Sequence, residues 1–386
     1  MLLVRPIRAT DLDALVMLAG EASFGLTSLP PDRNLLAERI EKSLRSFAFP
    51  ARKPGSEMYL FVLEDAAAEF SERKIRGSAA VYAKLGGYEP FYAYDIQTEE
   101  LHSADLNIHT SVSALTPLIE HDGPSAIGSL FLSPHFRRRS TGRFLSLCRF
   151  LFMGLFPQYF EDKVIAEMRG IVDSNGESPL WNAIGRHFFH VDYPRADYLS
   201  AVNKAFINDL MPRHPIYMEL LPDSAREVIG RVHPNTAPAL RILEQEGFQK
   251  TGLVDIFDGG PIVSCDTRSL RCVRELRYAR IESWVSHGHP PSNDALRSTG
   301  PAHIHENHPD HRENLIAPAG TQSDEFRVAL SRIHFLDEYV NSDGQPPPVC
   351  IAEPVGQTLN LQIGDLIAYV SLRPVEKNAQ ASTTPG

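Results

Sequence analysis

Three consecutive arginines lead into a serine, a threonine and a glycine in the segment Arg137-Arg138-Arg139-Ser140-Thr141-Gly142. Apolar residues before this basic turn predict a strand over 127–132, and apolar residues at helical spacing after it predict a helix over 143–156. The first N–H groups of a helix have no partner within the helix and carry the positive end of its dipole. A basic turn between a strand and a helix is therefore typical of a pyrophosphate site, although it could also simply face solvent.

A second segment combines a titratable side chain with the same order of elements. The residues 228–232 predict a strand, His233-Pro234-Asn235-Thr236 follow, and apolar spacing predicts a helix from Ala237 that Gly247 ends. An imidazole changes charge near neutral pH, so His233 could accept or donate a proton there. A lone histidine before a helix could equally be a cap or a packed side chain.

Helices and strands alternate irregularly along the rest of the chain. The hydrophobic pattern predicts strands over 2–7, 58–63, 77–85, 326–333 and 366–372, and a helix over 32–46. This order favours an α+β (mixed α/β) fold over a helical bundle.

The composition excludes several classes of protein. The 386 residues are 43% hydrophobic, and 38 Lys and Arg against 48 Asp and Glu give a net charge of −10. A disordered chain would be less apolar, and a nucleic-acid-binding protein would carry a positive field. The four cysteines form no CxxC pair, the first residues do not resemble a signal peptide, and the most apolar stretch, 144–156, is too short to span a bilayer. We therefore expect a cytoplasmic protein with buried reduced thiols and with neither a membrane nor a nucleic acid as partner.

The pattern divides the chain into five regions. We expect a core over 1–265, a connecting strand or helix over 266–285, a polar His- and Pro-rich flexible insert over 286–323, a small β-rich unit over 324–374 and a disordered tail over 375–386. Six histidines of the insert lack ligand spacing on defined elements, so we expect no resident metal: His287, His289, His303, His305, His308 and His311.

The basic turn and the segment Asn235-x-Ala237…Glu244-x-x-Gly247-Phe248 together resemble the two motifs of GNAT acyl-CoA N-acyltransferases. Within that fold the chain is more similar to the arginine N-succinyltransferase family, over nearly its whole length. The segments that carry this resemblance are Gly25–Pro30, Ser129–Leu132, Glu167–Gly170, Phe188-Phe189, Arg195–Asp197, Lys204–Ile207, Leu210–Pro212, His214–Tyr217, Val232–Pro234, Thr236–Ala239 and Asp255–Pro261. The resemblance implies a GNAT-like core, with room for two related halves.

The resemblance also implies a reaction. Members of the family transfer the succinyl group of succinyl-CoA to the α-amine of L-arginine, the first step of an arginine catabolic route that yields ammonia. The family's general acid histidine falls on His233 and its succinyl-CoA contact on Leu130. An amine that attacks a thioester must lose a proton, and the leaving thiolate benefits from gaining one, so a histidine suits either transfer. Succinyl-CoA would be a co-substrate, and no permanently bound cofactor is expected.

The remaining candidates follow from the chemistry of the two substrates. Backbone N–H groups near Leu130 and Phe131, with Leu132 beside them, would stabilise the oxyanion, and Asn235 lies in the segment expected near the pantetheine arm. A guanidinium is best held by carboxylates, and a succinyl carboxylate by arginines or hydroxyls. The candidates for the guanidinium are Glu167, Asp197 and Asp258, and those for the succinyl carboxylate are Arg169, Arg195, Thr27 and Ser28. Each could instead be a structural ion pair or cap.

The chain departs from the family pattern at two places. Ser140 stands where the family usually has glycine, which predicts an ordinary backbone conformation there. The His-rich insert is longer than is usual in the family. Two alternatives stay open: the acceptor could be ornithine or another basic amino acid, and the chain could be a non-catalytic acyl-CoA-binding subunit. Either a homo-oligomer or a hetero-oligomer is compatible with the sequence.

Overall fold

A computed structural model describes residues 1–22, 29–66, 75–87, 89–137, 140–173, 175–285, 312–336 and 345–374. They form two compact units. The first consists of Met1–Arg274 with Thr321–Arg327, and the second of the described parts of Glu275–Gly320 and Val328–Gly386. Both units contain strands and helices, which confirms the predicted mixed α+β class.

The sheet of the first unit has the strand order β1-β2-β3-β6-β7-β10-β9-β4-β5-β8. Strands β6 and β7 run parallel, whereas the neighbouring pairs on both sides of them are antiparallel. The strands are β1 Leu2–Pro6, β2 Met58–Asp65, β3 Ile75–Tyr82, β4 Phe91–Ser103, β5 Ile108–Glu120, β6 Ser125–Leu132, β7 Lys163–Glu167, β8 Ile216–Tyr217, β9 Gln249–Val254 and β10 Pro261–Asp266.

Helices cover this sheet and connect its strands. They are α1 Leu12–Gly20, α2 Arg33–Ala48, α3 Thr141–Leu155, α4 Pro179–Ala183, α5 Gly185–Phe189, α6 Tyr193–Val202, α7 Ala205–Leu210, α8 Asp223–Arg226, α9 Ala237–Glu246 and α10 Arg271–Arg274. Caps explain two of their ends. The Asp32 carboxylate accepts the backbone N–H groups of Asn34 and Leu35 at the start of α2, and Gly247, the predicted cap, ends α9 with a φ of 109°.

Two hydrophobic clusters hold the helices against the sheet. One packs α1 and α2 on β2, around Leu15, Leu36 and Leu60. The other packs the short helices between β7 and β9 on β4 and β9, around Trp181, Tyr193 and Val254. Helix α3 is buried along most of its length, so the predicted helix after the basic turn is confirmed and forms part of the core.

The second unit has the strand order β14-β15-β11-β16-β12-β13. Its elements are β11 Arg277–Val285, β12 Glu313–Pro318, β13 Val328–Arg332, β14 His334–Phe335, β15 Pro348–Ala352, β16 Leu366–Ser371 and one further helix, α11 Glu353–Leu359. The predicted strands over 326–333 and 366–372 are confirmed as β13 and β16.

Strand β12 corrects the prediction of a polar insert over 286–323. Leu315, Ile316 and Ala317 are fully buried in it, so the prediction was wrong for residues 313–318. A short apolar run is easily missed in a polar neighbourhood, and one of its two partners, β16, is distant in sequence. The six histidines of the insert and the predicted tail over 375–386 lie outside the described residues.

Two further findings concern the whole described chain. All four cysteines are buried. Among the residues that the structure describes, no helix combines the length and apolar character that a membrane crossing needs.

Candidate active site

Strands β6 and β7 pair over two rungs only, Ser125 with Val164 and Ala126 with Ile165. Beyond these rungs β6 continues to Leu132 and β7 to Glu167. Ser129 has a φ of 50°, and the register between β6 and β3 shifts at this place. A bulge bends a strand and increases its twist, so it turns β6 away from its parallel neighbour. The result is a gap between the two strands at their carboxyl ends.

The predicted acyl-CoA contacts on β6 lie at this gap. Leu130 directly follows the bulge and is half-buried, and Phe131 and Leu132 are buried with 8% of their surface exposed. The N–H groups that were predicted to stabilise an oxyanion therefore belong to the part of β6 that has left the ladder with β7.

The basic turn connects β6 to α3. Arg137 is exposed, but its Nε atom donates to the carbonyl of Leu132 at 3.2 Å and its guanidinium lies 5.9 Å from the centre of the Phe131 ring. Thr141 is buried, and a Cβ atom on Gly142 would meet nothing closer than 3.9 Å, so space remains at the helix start. Arg138 and Arg139 lie outside the described residues.

The expectation of an ordinary backbone conformation at Ser140 was wrong. Its φ is 64° and its ψ is −11°, which is the left-handed region that glycine adopts without cost. The carbonyl of Ser140 accepts the N–H of Phe144, so the residue forms the start of α3. Ser140 therefore takes the conformation that glycine would take at the start of α3.

His233 lies beside the carboxyl end of β7. Its backbone N–H donates to the backbone carbonyl of Arg169 at 2.8 Å. The predicted strand over 228–232 was wrong: Gly230 has a φ of 72° and its N–H bonds to Gly259, which interrupts any extended run. The segment is therefore a turn that connects His233 to two neighbouring loops.

The imidazole of His233 has a defined hydrogen-bond state. The exposed Asn235 donates its backbone N–H to Nδ1 of His233 at 3.1 Å. An atom that accepts this bond carries no proton, so in the neutral ring the proton is on Nε2. Burial, and secondly the charge of Arg169, lower the pKa of His233. The structure thus favours a neutral imidazole that donates from Nε2.

Four carboxylates lie at the end of β7, and the pKa values of the first two are raised to near neutrality: Glu167, Asp197, Asp255 and Asp258. Burial raises the pKa of Glu167 to about 7, against the opposing charge of Lys204. Burial also raises the pKa of Asp197 to about 7, with a further contribution from Asp255. Glu167 keeps an exposed surface, while the protein around its carboxyl group displaces enough water to raise the pKa. A group that lines a cleft combines these two properties. Arg169 and Lys204 are the cations of this cluster.

Asp258 organises the backbone of the site. Its Oδ2 atom accepts the N–H of Gly170 at 2.7 Å, and its Oδ1 atom accepts that of Gly260 at 2.8 Å. Burial raises its pKa well above the ordinary value, and it is only 5% exposed. Both oxygens are thus engaged with backbone, which favours a structural role over contact with a guanidinium.

The loops carrying these groups touch at two glycines. A Cβ atom on Gly260 would lie 1.9 Å from the carbonyl oxygen of Met168 and 2.6 Å from the nitrogen of Gly170. No side chain fits at that distance. The close approach fixes the end of β7, with Glu167 and Arg169, against the turn that contains Asp255 and Asp258.

The structure brings together some of the predicted substrate residues and not others. Glu167, Arg169, Asp197 and Asp258 belong to one cluster with His233. Arg195 is exposed and lies two residues from both Tyr193 and Asp197 on α6, so it points away from the face that these two share. Thr27 and Ser28 lie outside the described residues.

Sequence reasoning missed three members of the site. Asp255 and Lys204 influence the pKa of Glu167, and Ser129 forms the bulge in β6. All three lie in segments that carry the family resemblance, which was the only signal available. Within the described residues, no group of three or more His, Cys, Asp or Glu is arranged to hold a metal ion.

Comparisons with known proteins identify the family of the chain. The sequence model of the family "Arginine N-succinyltransferase beta subunit" matches residues 2–272. The chain is 46% identical over 276 residues to the "Arginine N-succinyltransferase" of Yersinia pseudotuberculosis serotype IB, covering 71% of this chain and 77% of that protein. It is 37% identical over 373 residues to the protein of the same name from Yersinia enterocolitica, covering 96% of this chain and 98% of the relative.

A solved structure is similar over nearly the whole chain. It is described as arginine/ornithine succinyltransferase subunit AI from Pseudomonas aeruginosa, and its TM-score is 0.78 at 30% identity. The match covers 97% of this chain and 99% of that one. The chain therefore belongs to the arginine N-succinyltransferase family of acyltransferases.

Proposed function

We propose that the protein transfers the succinyl group of succinyl-CoA to the α-amine of L-arginine, giving N2-succinyl-L-arginine and CoA. The observation that carries this proposal is the cluster of carboxylates at the end of β7, beside the gap between β6 and β7. A cationic amino acid fits such a cluster, and a thioester fits beside a strand edge that offers N–H groups. The reaction would be the first step of ammonia-producing arginine catabolism, in the cytoplasm.

Succinyl-CoA would bind along the basic turn and the gap. Its pyrophosphate would lie at the start of α3, where Gly142 leaves space, with Arg137, Arg138, Arg139, Ser140 and Thr141 around it. The pantetheine arm would run past Leu130 towards Asn235. A strongly acidic chain needs this local positive charge to hold a polyanion, since its net charge is −10.

Arginine would bind in the carboxylate cluster. Asp197 and Asp255 are the partners that suit its guanidinium, because their charge is unfavourable without a cation and the pKa of each is raised by burial. Arg169 and Lys204 suit the carboxylates of arginine and of the succinyl group. We leave Asp258 out of this set because backbone N–H groups already engage both of its oxygens.

The chemical step is direct attack without a covalent enzyme intermediate. The amine forms a bond to the thioester carbon, and the carbonyl oxygen becomes an oxyanion beside the N–H groups near Leu130 and Phe131. We narrow the predicted general acid–base role of His233 to donation from Nε2, because Nδ1 accepts a bond from Asn235. Such a donor stabilises the charge that develops on the oxyanion or on the leaving sulfur.

A second candidate differs in the acceptor. The similar Pseudomonas protein is described as an arginine/ornithine succinyltransferase subunit, which favours ornithine as the alternative amine and an oligomeric assembly. The word "subunit" in that description is also compatible with a chain that binds acyl-CoA and does not itself catalyse the transfer.

The test is to incubate the purified protein with succinyl-CoA and, separately, arginine, ornithine and lysine. Release of the CoA thiol and the mass of the product are followed. We expect release with arginine to exceed release with ornithine. Faster release with ornithine would change the acceptor, and succinyl-CoA binding without release for any amine would favour the non-catalytic subunit. Initial-rate patterns should intersect, whereas parallel ping-pong lines would contradict direct attack.

A further inference from the structure

The proposed reaction leaves one proton without an acceptor. An α-amine reaches the enzyme near neutral pH largely as an ammonium ion, which has no lone pair for attack. His233 does not suit this task, because Nδ1 already accepts the N–H of Asn235 and Nε2 carries the proton of the neutral ring. Accepting a second proton is further disfavoured by burial and by Arg169, which lower the pKa of His233. Another group must therefore take the proton.

Glu167 stands where such a group is needed. It is the last residue of β7 and lies two residues beyond Ile165, the last rung shared with β6. At about 3.3 Å per residue it is roughly 7 Å beyond that rung, at a height similar to that of Gly128, which directly precedes the Ser129 bulge across the gap. Its other backbone edge pairs with Ile262 of β10, so the strand holds it firmly while the side chain stays exposed to solvent.

The other carboxylates suit this task less well. Asp258 is occupied by the N–H groups of Gly170 and Gly260, and Oδ1 of Asp255 accepts those of Phe257 and Asp258. Asp197 lies on helix α6 and not on a strand, and the charge of Arg169 favours its ionised form, which makes it a weaker base.

The charged groups around Glu167 adjust its basicity. Lys204, at the start of α7, favours the carboxylate, and Asp255, after β9, disfavours it. Burial is the larger effect and raises the pKa of Glu167 to about 7. A general base is most effective when its pKa lies near the working pH, because it is then both ionised and basic enough.

We propose that Glu167 is the catalytic base that removes a proton from the α-ammonium group of the acceptor amino acid. The inference rests on the proposed succinyl transfer and adds the residue that makes the amine nucleophilic. The carboxylate takes one proton, and the freed lone pair forms the C–N bond as the carbonyl π pair moves to oxygen. The C–S bond then breaks with its pair on sulfur. The second nitrogen proton ends on the sulfur to give CoA–SH, and Glu167 releases the first to solvent.

The test compares Glu167→Gln with wild type over pH 5.5–9.5. The matched control is Glu99→Gln, which changes an exposed glutamate on β4 outside the cluster. We expect Glu167→Gln to lower kcat at pH 7 by about 10²–10³-fold and to move the acidic loss of kcat/KM from about pH 7 in wild type up to about pH 8, where the amine itself loses its proton. We expect partial recovery well above pH 8, where an ordinary α-amine, with a pKa of about 8, is already neutral. Glu167→Asp should keep the pH dependence.

The outcomes separate the two proposals. Wild-type protein that releases no thiol with any amine would overturn the proposed transfer and this role with it. Active wild-type protein together with a Glu167→Gln variant that retains kcat within about threefold and the same acidic limb would overturn the role of Glu167 alone. A folded variant that binds succinyl-CoA normally but does not recover at high pH would also contradict proton removal, since a structural defect does not depend on the ionisation of the amine.

Discussion

Gly260→Ala should damage both the stability and the activity of the protein. The new Cβ atom would lie 1.9 Å from the carbonyl oxygen of Met168, so the two backbones must separate by more than about 1 Å. Two hydrogen bonds join these two backbones now: the Met168 N–H donates to the Pro261 carbonyl at 3.0 Å, and the Gly170 N–H donates to Oδ2 of Asp258 at 2.7 Å. At about 1 kcal/mol each, their loss lowers the free energy of unfolding by about 2 kcal/mol.

The same displacement moves the groups proposed for catalysis. Glu167 and Arg169, whose carbonyl accepts the backbone N–H of His233, belong to the strand end that must shift. A misplacement of about 1 Å costs on the order of 10²-fold in rate, so we expect a comparable loss of kcat/KM in the variant. Urea unfolding and succinyl-CoA-dependent thiol release measure the two effects.

Gly20→Ala is the matched control for this variant. Gly20 ends α1, and a Cβ atom there would meet nothing within 4 Å. We expect this control to keep full activity and to change the free energy of unfolding by no more than about 1 kcal/mol. The reasoning would be refuted if Gly260→Ala matched the Gly20→Ala variant in both its urea midpoint and its kcat/KM.

Three further variants test separate parts of the structure. His233→Ala should lower kcat by about 10²–10⁴-fold with little change in urea midpoint, and an unchanged kcat would remove His233 from the mechanism. Ser140→Gly should raise the free energy of unfolding by about 0.5 kcal/mol, because glycine relieves the φ of 64°; a lower urea midpoint would contradict this. The pKa of Asp197 is raised to about 7 on folding, so the native state holds the proton more tightly and wild type loses stability as pH rises between about 4 and 7. Asp197→Asn should therefore gain stability relative to wild type over that range, and a difference in urea midpoint that stays constant with pH would falsify the assignment.

Much of the fold could be predicted from local patterns. Helix α3 was visible because its apolar residues repeat at helical spacing, and α9 because Gly247 ends it. The strand over 228–232 failed because β-branched residues favour an extended chain, whereas the positive φ of Gly230 and its bond to Gly259 hold a turn. Strand β12 was missed because its apolar run is short and lies beside a polar segment, and because its partner β16 is distant in sequence.

Part of the candidate site could also be predicted. The order of strand, basic turn and helix, and the position of His233, followed from spacing and from family resemblance. Which carboxylates meet could not be inferred, because they come from three separate places in the chain: Glu167 from the end of β7, Asp197 from α6, and Asp255 and Asp258 from the turn after β9. Their shifted pKa values depend on burial and on mutual distance, neither of which is local.

The sequence by itself determined the family, the mixed α+β class and the basic turn before α3, since these depend on residue types at short, fixed separations. Only the tertiary structure decided that Ser140 takes a left-handed conformation, that Asp258 accepts backbone N–H groups with both oxygens, and that Nδ1 of His233 accepts the N–H of Asn235. The physical reason is that a hydrogen bond such as that from His233 to Arg169 joins residues far apart along the chain. The pKa of a titratable group is likewise shifted by the charges and the protein atoms that the fold brings near it.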